Sequence, residues 1–218
     1  MHKFLRKTSW AVGVIASLFA ANANASFVLL DSAWVPSPAN AVPTINDFRG
    51  QLAGVGVPSF YLGRTLGVTG ARAGDTIEID LFAAEAGYHN QLYWGSTLVV
   101  NNQGNLGWAE RDRGTFAVTG NSLNFRFCSV TIQACLSNAA NDFTFLGSLQ
   151  SIGMYLTDDG NTAWLLWDDS GAASDDNHDD LVVRLTYKSV PEPGTLALLG
   201  LGLIGAALVR RRKIEAQA

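Results

Sequence analysis

The chain has 218 residues, 15 of them basic and 19 acidic, for a net charge of −4. That length suits one domain with a real core between terminal signals, and the acidic balance excludes the broad basic face that nucleic-acid binding requires. The first segment is positive at Lys3, Arg6 and Lys7, apolar from residue 10 to 20, and reaches Ala23-Asn24-Ala25 just before Ser26. Positive start, short apolar run and small-x-small site form the three-part secretory signal. A signal helix over residues 1–25, cut after Ala25, is therefore expected. The competing reading is an uncleaved anchor, but a spanning helix needs about 20 apolar residues and this run is shorter.

The signals hide the character of what lies between them. Without the leader and the basic tail, the body over residues 26–189 keeps eight basic and 17 acidic residues, a net charge of −9. Residues 76–82 alternate cleanly, with Ile77, Ile79 and Leu81 on one face, the period of a half-buried strand. Further strands are predicted at 27–30, 91–94, 97–100, 115–118, 123–128, 143–145, 152–156, 163–167 and 181–187. Turn chemistry separates them: a hairpin-like run from Asn101 to Asn105, another at Thr119-Gly120-Asn121, and the strongest, Asp158-Asp159-Gly160-Asn161. Residues 39–74, with Pro43, Pro58 and many glycines, read as loops with one or two irregular strands. No long amphipathic helix is predicted in the body. The pattern is that of an all-β, antiparallel β-sandwich or jelly-roll-like domain.

Cys128 and Cys135 both lie in the exported part, where a pair is expected to bridge. A redox or metal pair would want a CxxC spacing or a neighbouring histidine, and neither is present. Between residues 168 and 180 the sequence carries six aspartates and Asn177, hard oxygen donors of the kind that calcium collects. Asp169, Asp175, Asn177 and Asp179 are the candidate ligands for Ca2+, although the spacing is not that of an EF-hand loop. The competing reading is a solvated acidic loop between two apolar strands.

Enzyme signals are thin. The body has His89 and His178, with no Gly-x-Ser-x-Gly elbow, His-Glu-x-x-His or P-loop, so no catalytic residue is assigned. His89 reads as a surface residue in a turn. Glu85 and Glu110 are the carboxylates a glycosidase reading would pair. Tyr93, Trp94, Trp108, Trp164 and Trp167 are aromatic surfaces on which sugars could stack, with core packing as the commoner fate of tryptophan. Trp164 and Trp167 fall on opposite faces of one strand, so one of them is expected in the core.

After the last strand the chain reads Val190-Pro191-Glu192-Pro193-Gly194, then an uncharged apolar run over 195–209, then Arg210-Arg211-Arg212-Lys213. The prolines disfavour helix before the run, and the basic cluster would stay cytoplasmic and hold the body outside. A helix over 195–209 is short for a bilayer, but its arginines can snorkel.

This layout over residues 190–213 resembles the PEP-CTERM sorting signal of Gram-negative bacteria, with Pro191, Glu192, Pro193, Arg210, Arg211 and Arg212 as the sorting motif. The resemblance implies export across the inner membrane, a single C-terminal transmembrane helix as transient anchor, and processing by an exosortase-type membrane peptidase. It further implies cargo tied to exopolysaccharide and biofilm at the cell surface or in the extracellular matrix. The segment Asp176-Asn177-His178-Asp179-Asp180 before Leu181-Val182-Val183 is similar to a turn common in proteins with this tail. Ala84-Glu85-Ala86-Gly87-Tyr88-His89-Asn90 is similar to a second such turn. The expected function is a non-enzymatic exported surface or matrix protein. A calcium-dependent carbohydrate-binding or adhesion module is the alternative, and a secreted glycoside hydrolase the third.

Overall fold

The computed structural model describes residues 25–30, 40–85, 87–140, 150–169, 177–190 and 200–206. The strands are β1 (Ser26–Leu30), β2 (Asn40–Ala41), β3 (Ser59–Phe60), β4 (Thr65–Thr69), β5 (Thr76–Ala83), β6 (His89–Trp94), β7 (Thr97–Gln103) and β8 (Arg111–Ala117). They continue as β9 (Phe125–Ser129), β10 (Ala134–Ser137), β11 (Ser151–Leu156), β12 (Thr162–Asp168) and β13 (Leu181–Lys188). One short helix, α1 (Arg49–Gly54), lies between β2 and β3, and a 3-10 turn, Asn138–Ala140, follows β10.

The strands pair antiparallel. A five-stranded sheet has the order β11-β12-β13-β5-β8 and a four-stranded sheet the order β10-β9-β6-β7, with β1-β4 and β2-β3 as two-stranded additions. One hydrophobic cluster draws on both large sheets: Ile77, Ile79 and Leu81 of β5, Phe125 and Phe127 of β9, Trp167 of β12 and Leu185 of β13 all belong to it. The alternation read along residues 76–82 is therefore real. Its three aliphatic residues are fully buried, each contributing roughly 1.5–3 kcal/mol by leaving water.

The five-stranded sheet is covered on its other face too. Phe82, Trp164, Leu166 and Val182 pack there against Val42, Phe48, Leu52, Val57 and Phe60, which come from the stretch around α1. This corrects the expectation for the Trp164/Trp167 pair. Trp167 is 0 % and Trp164 3 % exposed, because the strand has a core on each side. It also explains the irregular stretch within residues 39–74: β2, α1 and β3 supply the second cover, whereas Leu66 and Val68 of β4 join the first core.

The Asp158–Asn161 signal makes the β11–β12 turn. Gly160 has φ +67°, and Asp159 Oδ1 accepts from Thr157 Oγ1 at 2.6 Å and from the Asn161 N–H at 2.9 Å. The run Asn101–Asn105 behaves differently. β7 continues through Gln103, pairing Asn101 with Gln91 and Asn102 with Asn90, and the β6–β7 turn is made earlier at Gly95, φ +58°. Cys128 and Cys135 are directly opposite in the β9–β10 hairpin and form a disulfide. The strand predicted at 143–145 lies outside the described residues.

The leader over residues 1–24 lies outside the described residues, as do Pro191, Glu192, Pro193, Arg210, Arg211 and Arg212. Residues 200–206, inside the predicted apolar helix, are helical. Among the described residues no helix is long and apolar enough to cross a membrane, so the expected signal and transmembrane helices are not seen there.

Candidate functional site

Antiparallel pairing of β5, β12 and β13 brings the end of β12, the start of β13 and the end of β5 to one end of the five-stranded sheet. The acidic stretch is thereby folded against Glu85, whose N–H donates to the Asp179 carbonyl at 3.0 Å. The chain before α1 closes the corner. Asn46 Nδ2 donates to the carbonyls of Asn177 (2.8 Å) and His178 (3.3 Å), and the Asp47 N–H donates to Asp179 Oδ2 at 2.8 Å. Carboxylate oxygens of Asp47, Glu85 and Asp179 lie within 4.8 Å of one another.

The described ends of the acidic stretch, residues 168–169 and 177–180, are not solvated as its composition suggests. Asp168, Asp169, Asn177, Asp179 and Asp180 are all buried. Asn90 Nδ2 donates to Asp169 Oδ2 at 2.5 Å, and the Asp169 N–H donates to Asp180 Oδ2 at 2.6 Å. Burial, with the charges of Asp169, Asp168 and Asp179, pushes the Asp180 carboxyl up to about 9 against that hydrogen bond. His178, at φ +59°, is buried against the Phe60 ring at 4.7 Å, with Nε2 2.8 Å from Ser151 Oγ and Nδ1 3.8 Å from Asp168 Oδ2. Two amide oxygens, Asn90 Oδ1 and Asn177 Oδ1, are buried here with no hydrogen-bond donor among the described residues. Such an oxygen costs about 1–3 kcal/mol when left without a donor or a cation.

Of the four predicted calcium ligands, Asn177 and Asp179 come to this corner, Asp169 is engaged by Asn90 beside it, and Asp175 lies outside the described residues. Sequence reasoning missed Asp47 and Asn90. They sit about 132 and 79 positions from their partners Asp179 and Asp169, and no local motif marks them. Glu85 and Glu110 take separate roles. Glu110 pairs with Arg184, which also holds the buried Asp80 at 2.7 Å and lies 4.8 Å over the Phe82 ring.

The aromatics separate as well. Trp108 stacks on Trp164 at 6.0 Å, and Tyr93 carries the Arg126 guanidinium at 4.3 Å. His89 opens β6, with its ring bonded to Asn101 Oδ1. Trp94 stacks on Phe125 at 6.0 Å and meets Phe116 at 5.7 Å. Trp94 and Phe116 line a cleft of about 280 Å³ together with Thr97, Thr119, Ser122 and Asn124.

No curated protein and no solved structure matches the chain. Residues 189–213 do match a family, the PEP-CTERM protein-sorting motif. That motif implies export, a transient membrane anchor in a Gram-negative bacterium and processing by an exosortase-type membrane protein. The body that ends β13 at Lys188 thus runs straight into the matched segment, and the chain carries a PEP-CTERM sorting motif at residues 189–213.

Proposed function

We propose that this protein is a non-enzymatic component of the cell surface or extracellular matrix, a β-sandwich released from its anchor and associated with exopolysaccharide in a biofilm. The observation that carries the reading is the sorting motif at residues 189–213 directly after the last strand. The cleft supports the polysaccharide part. A cleft lined by the aromatic pair Trp94 and Phe116 together with the polar residues Thr97, Thr119, Ser122 and Asn124 combines aromatic and polar side chains of the kind that sugars engage. Glu110 is engaged by Arg184 and Glu85 is grouped with Asp47 and Asp179, which supports a binding rather than a hydrolytic role.

Mass spectrometry of the protein recovered from the medium and the cell surface tests the delivery. The expected product lacks Arg210–Lys213; an intact basic cluster in the released fraction overturns the processing step. Co-sedimentation with the producer's own exopolysaccharide, reduced by Trp94→Ala in a protein of unchanged melting temperature, tests the association. Turnover of a glycan, lost in Glu85→Gln or Glu110→Gln, would replace this reading with a hydrolase.

A further inference from the structure

The cleft beside Trp94 differs in charge from the body around it. Without the terminal signals the body has a net charge of −9. Among the described residues, the ten that line the cleft include no acid, no base and no histidine. The neutrality extends to the neighbouring strands. Phe116 and Ala117 of β8 stand opposite Ile77 and Thr76 of β5, and Trp94 of β6 stands opposite Thr97 of β7 and Phe125 of β9. The first charge along β9 is Arg126, whose Nη1 donates to the Gly95 carbonyl at 3.0 Å and whose guanidinium lies 4.3 Å over the Tyr93 ring. That cation is committed to the β6–β7 turn and to Tyr93. The walls of the cleft are also held in place. One is the β6–β7 turn and the other the chain between β8 and β9. The Gly95 N–H donates to the Asn124 carbonyl at 2.7 Å and ties the two together, and the Val68 N–H donates to the Asn121 carbonyl at 2.7 Å and fastens the second wall to β4. A site held in shape before its ligand arrives loses less entropy on binding. Its volume of about 280 Å³ lies just below the usual range of ligand pockets, a size for one sugar ring and not for a stretch of chain.

We propose that this cleft receives one uncharged pyranose ring of a polysaccharide, a hexose or N-acetylhexosamine, and excludes uronate and sulfated sugars. The inference rests on the association with polysaccharide proposed above and names the sugar class that the cleft takes. Trp94 and Phe116 supply apolar surface for the C–H groups of a ring. Thr97, Thr119, Ser122 and Asn124 carry hydroxyls and an amide, which both donate and accept, as sugar hydroxyls do. A carboxylate or sulfate in the same place would give up water with no guanidinium or ammonium in the lining to pair with. The negative body repels a polyanion at longer range as well. Discrimination thus comes from what the cleft withholds from a charged sugar, not from additional contacts to a neutral one.

The test is calorimetric titration of the full chain, solubilised in a detergent without a sugar headgroup. Glucose, galactose, mannose and N-acetylglucosamine are the neutral probes, and glucuronate and galacturonate the charged ones. Co-sedimentation with the producer's exopolysaccharide is followed alongside. A neutral sugar is expected to bind with a Kd on the order of 1 mM, the scale set by about a dozen ligand atoms. Because no lining residue is charged, that affinity is expected to hold between about 0.1 and 0.5 M salt. Trp94→Ala is expected to weaken it roughly tenfold. Thr119→Trp, at an exposed position of the lining, fills the cleft without removing a core side chain and is expected to abolish it. Preference for either uronate, or no binding of any neutral probe up to about 100 mM, far above that scale, overturns the neutral cleft, while co-sedimentation still stands for the association. Neutral binding unchanged in both Trp94→Ala and Thr119→Trp overturns the cleft as its place. Neutral binding lost in both variants, without co-sedimentation, upholds the cleft and removes the association.

Discussion

Asp75 Oδ1 accepts the backbone N–H of Val190 at 2.8 Å, which fastens the residue just before Pro191 to the start of β5. The other oxygen of that carboxylate accepts from the Tyr187 hydroxyl and, at 2.7 Å, from the Arg72 N–H. Gly74, at φ +95°, brings its Cα against Val190, where a Cβ would stand 3.3 Å from the valine methyl. The chain after β13 is therefore docked as far as Val190, the last residue before Pro191.

This clamp carries a pH signature. Burial alone would raise the Asp75 carboxyl, but hydrogen bonds from Tyr187, Val190 and Arg72, with the Arg72 charge, hold it below the ordinary 3.8. A depressed folded-state pKa means that the stabilisation is complete above the unfolded value and is lost as pH falls through the folded one. Melting temperature against pH is expected to drop below about pH 4, and Asp75→Asn to flatten that drop. Asp75→Ala strands the buried Tyr187 hydroxyl and is expected to cost about 1–3 kcal/mol. An acid limb identical in the parent and Asp75→Asn would remove Asp75 from the account.

The disulfide gives a second prediction. Cys128 and Cys135 are seven positions apart, so the bridge closes a short loop and restrains the unfolded chain by roughly 2–3 kcal/mol. Cys128→Ser with Cys135→Ser, or mild reduction, is expected to lower the denaturation midpoint by that amount with the β spectrum kept. Unfolding at room temperature on reduction would show that the hairpin needs the bridge to form at all.

Close packing at glycine gives a third. A Cβ at Gly153 on β11 would lie 2.6 Å from the Phe60 ring, and one at Gly67 on β4 would lie 2.6 Å from the Asn121 carbonyl oxygen. The ring can shift and the backbone carbonyl cannot shift alone. Gly67→Ala is therefore expected to destabilise more than Gly153→Ala, with both costs in the range of about 1–3 kcal/mol for overpacking. Urea denaturation of the two variants checks the order.

Two tryptophans divide stability from binding. Trp167 is fully buried and stacks on Phe127 at 5.1 Å, so Trp167→Ala is expected to cost about 3–5 kcal/mol. Trp94 is only partly buried, so Trp94→Ala should leave a folded protein with weakened polysaccharide co-sedimentation. Equal loss of polysaccharide binding in a folded Trp108→Ala would move the surface to the other face of the five-stranded sheet, where Trp108 packs.

How far the sequence could be read depends on how local each signal was. The Ile77, Ile79 and Leu81 alternation and the Asp159-Gly160 turn are contained in a few residues, and both formed as read. β7 was truncated in the reading because its apolar pattern stops at Val100. Its backbone nevertheless goes on pairing through Asn101 and Asn102, the latter bonding its own amide to the Gly104 carbonyl at 2.8 Å. The acidic stretch was legible as a collection of oxygen donors, yet its burial was not, because the cover comes from Asn46 and Asp47 in a segment without periodicity. The second core was hidden for the same reason: Phe48, Leu52 and Val57 reach the outer face of β12 and β13 only through tertiary structure.

The position of β13 in its sheet bears on how the protein is made. It is the last strand before the sorting signal, yet it lies between β12 and β5, with neighbours on both sides. A chain threaded across a membrane from its N-terminal end delivers β5 early and β13 last. Until Lys188 has crossed, β5 and β12 face a gap where the middle strand belongs, and the core residues Val183 and Leu185 are missing. Closure of the sheet thus waits for β13, the strand that directly precedes the sorting motif, so the domain cannot be completed before the chain has been delivered up to that motif.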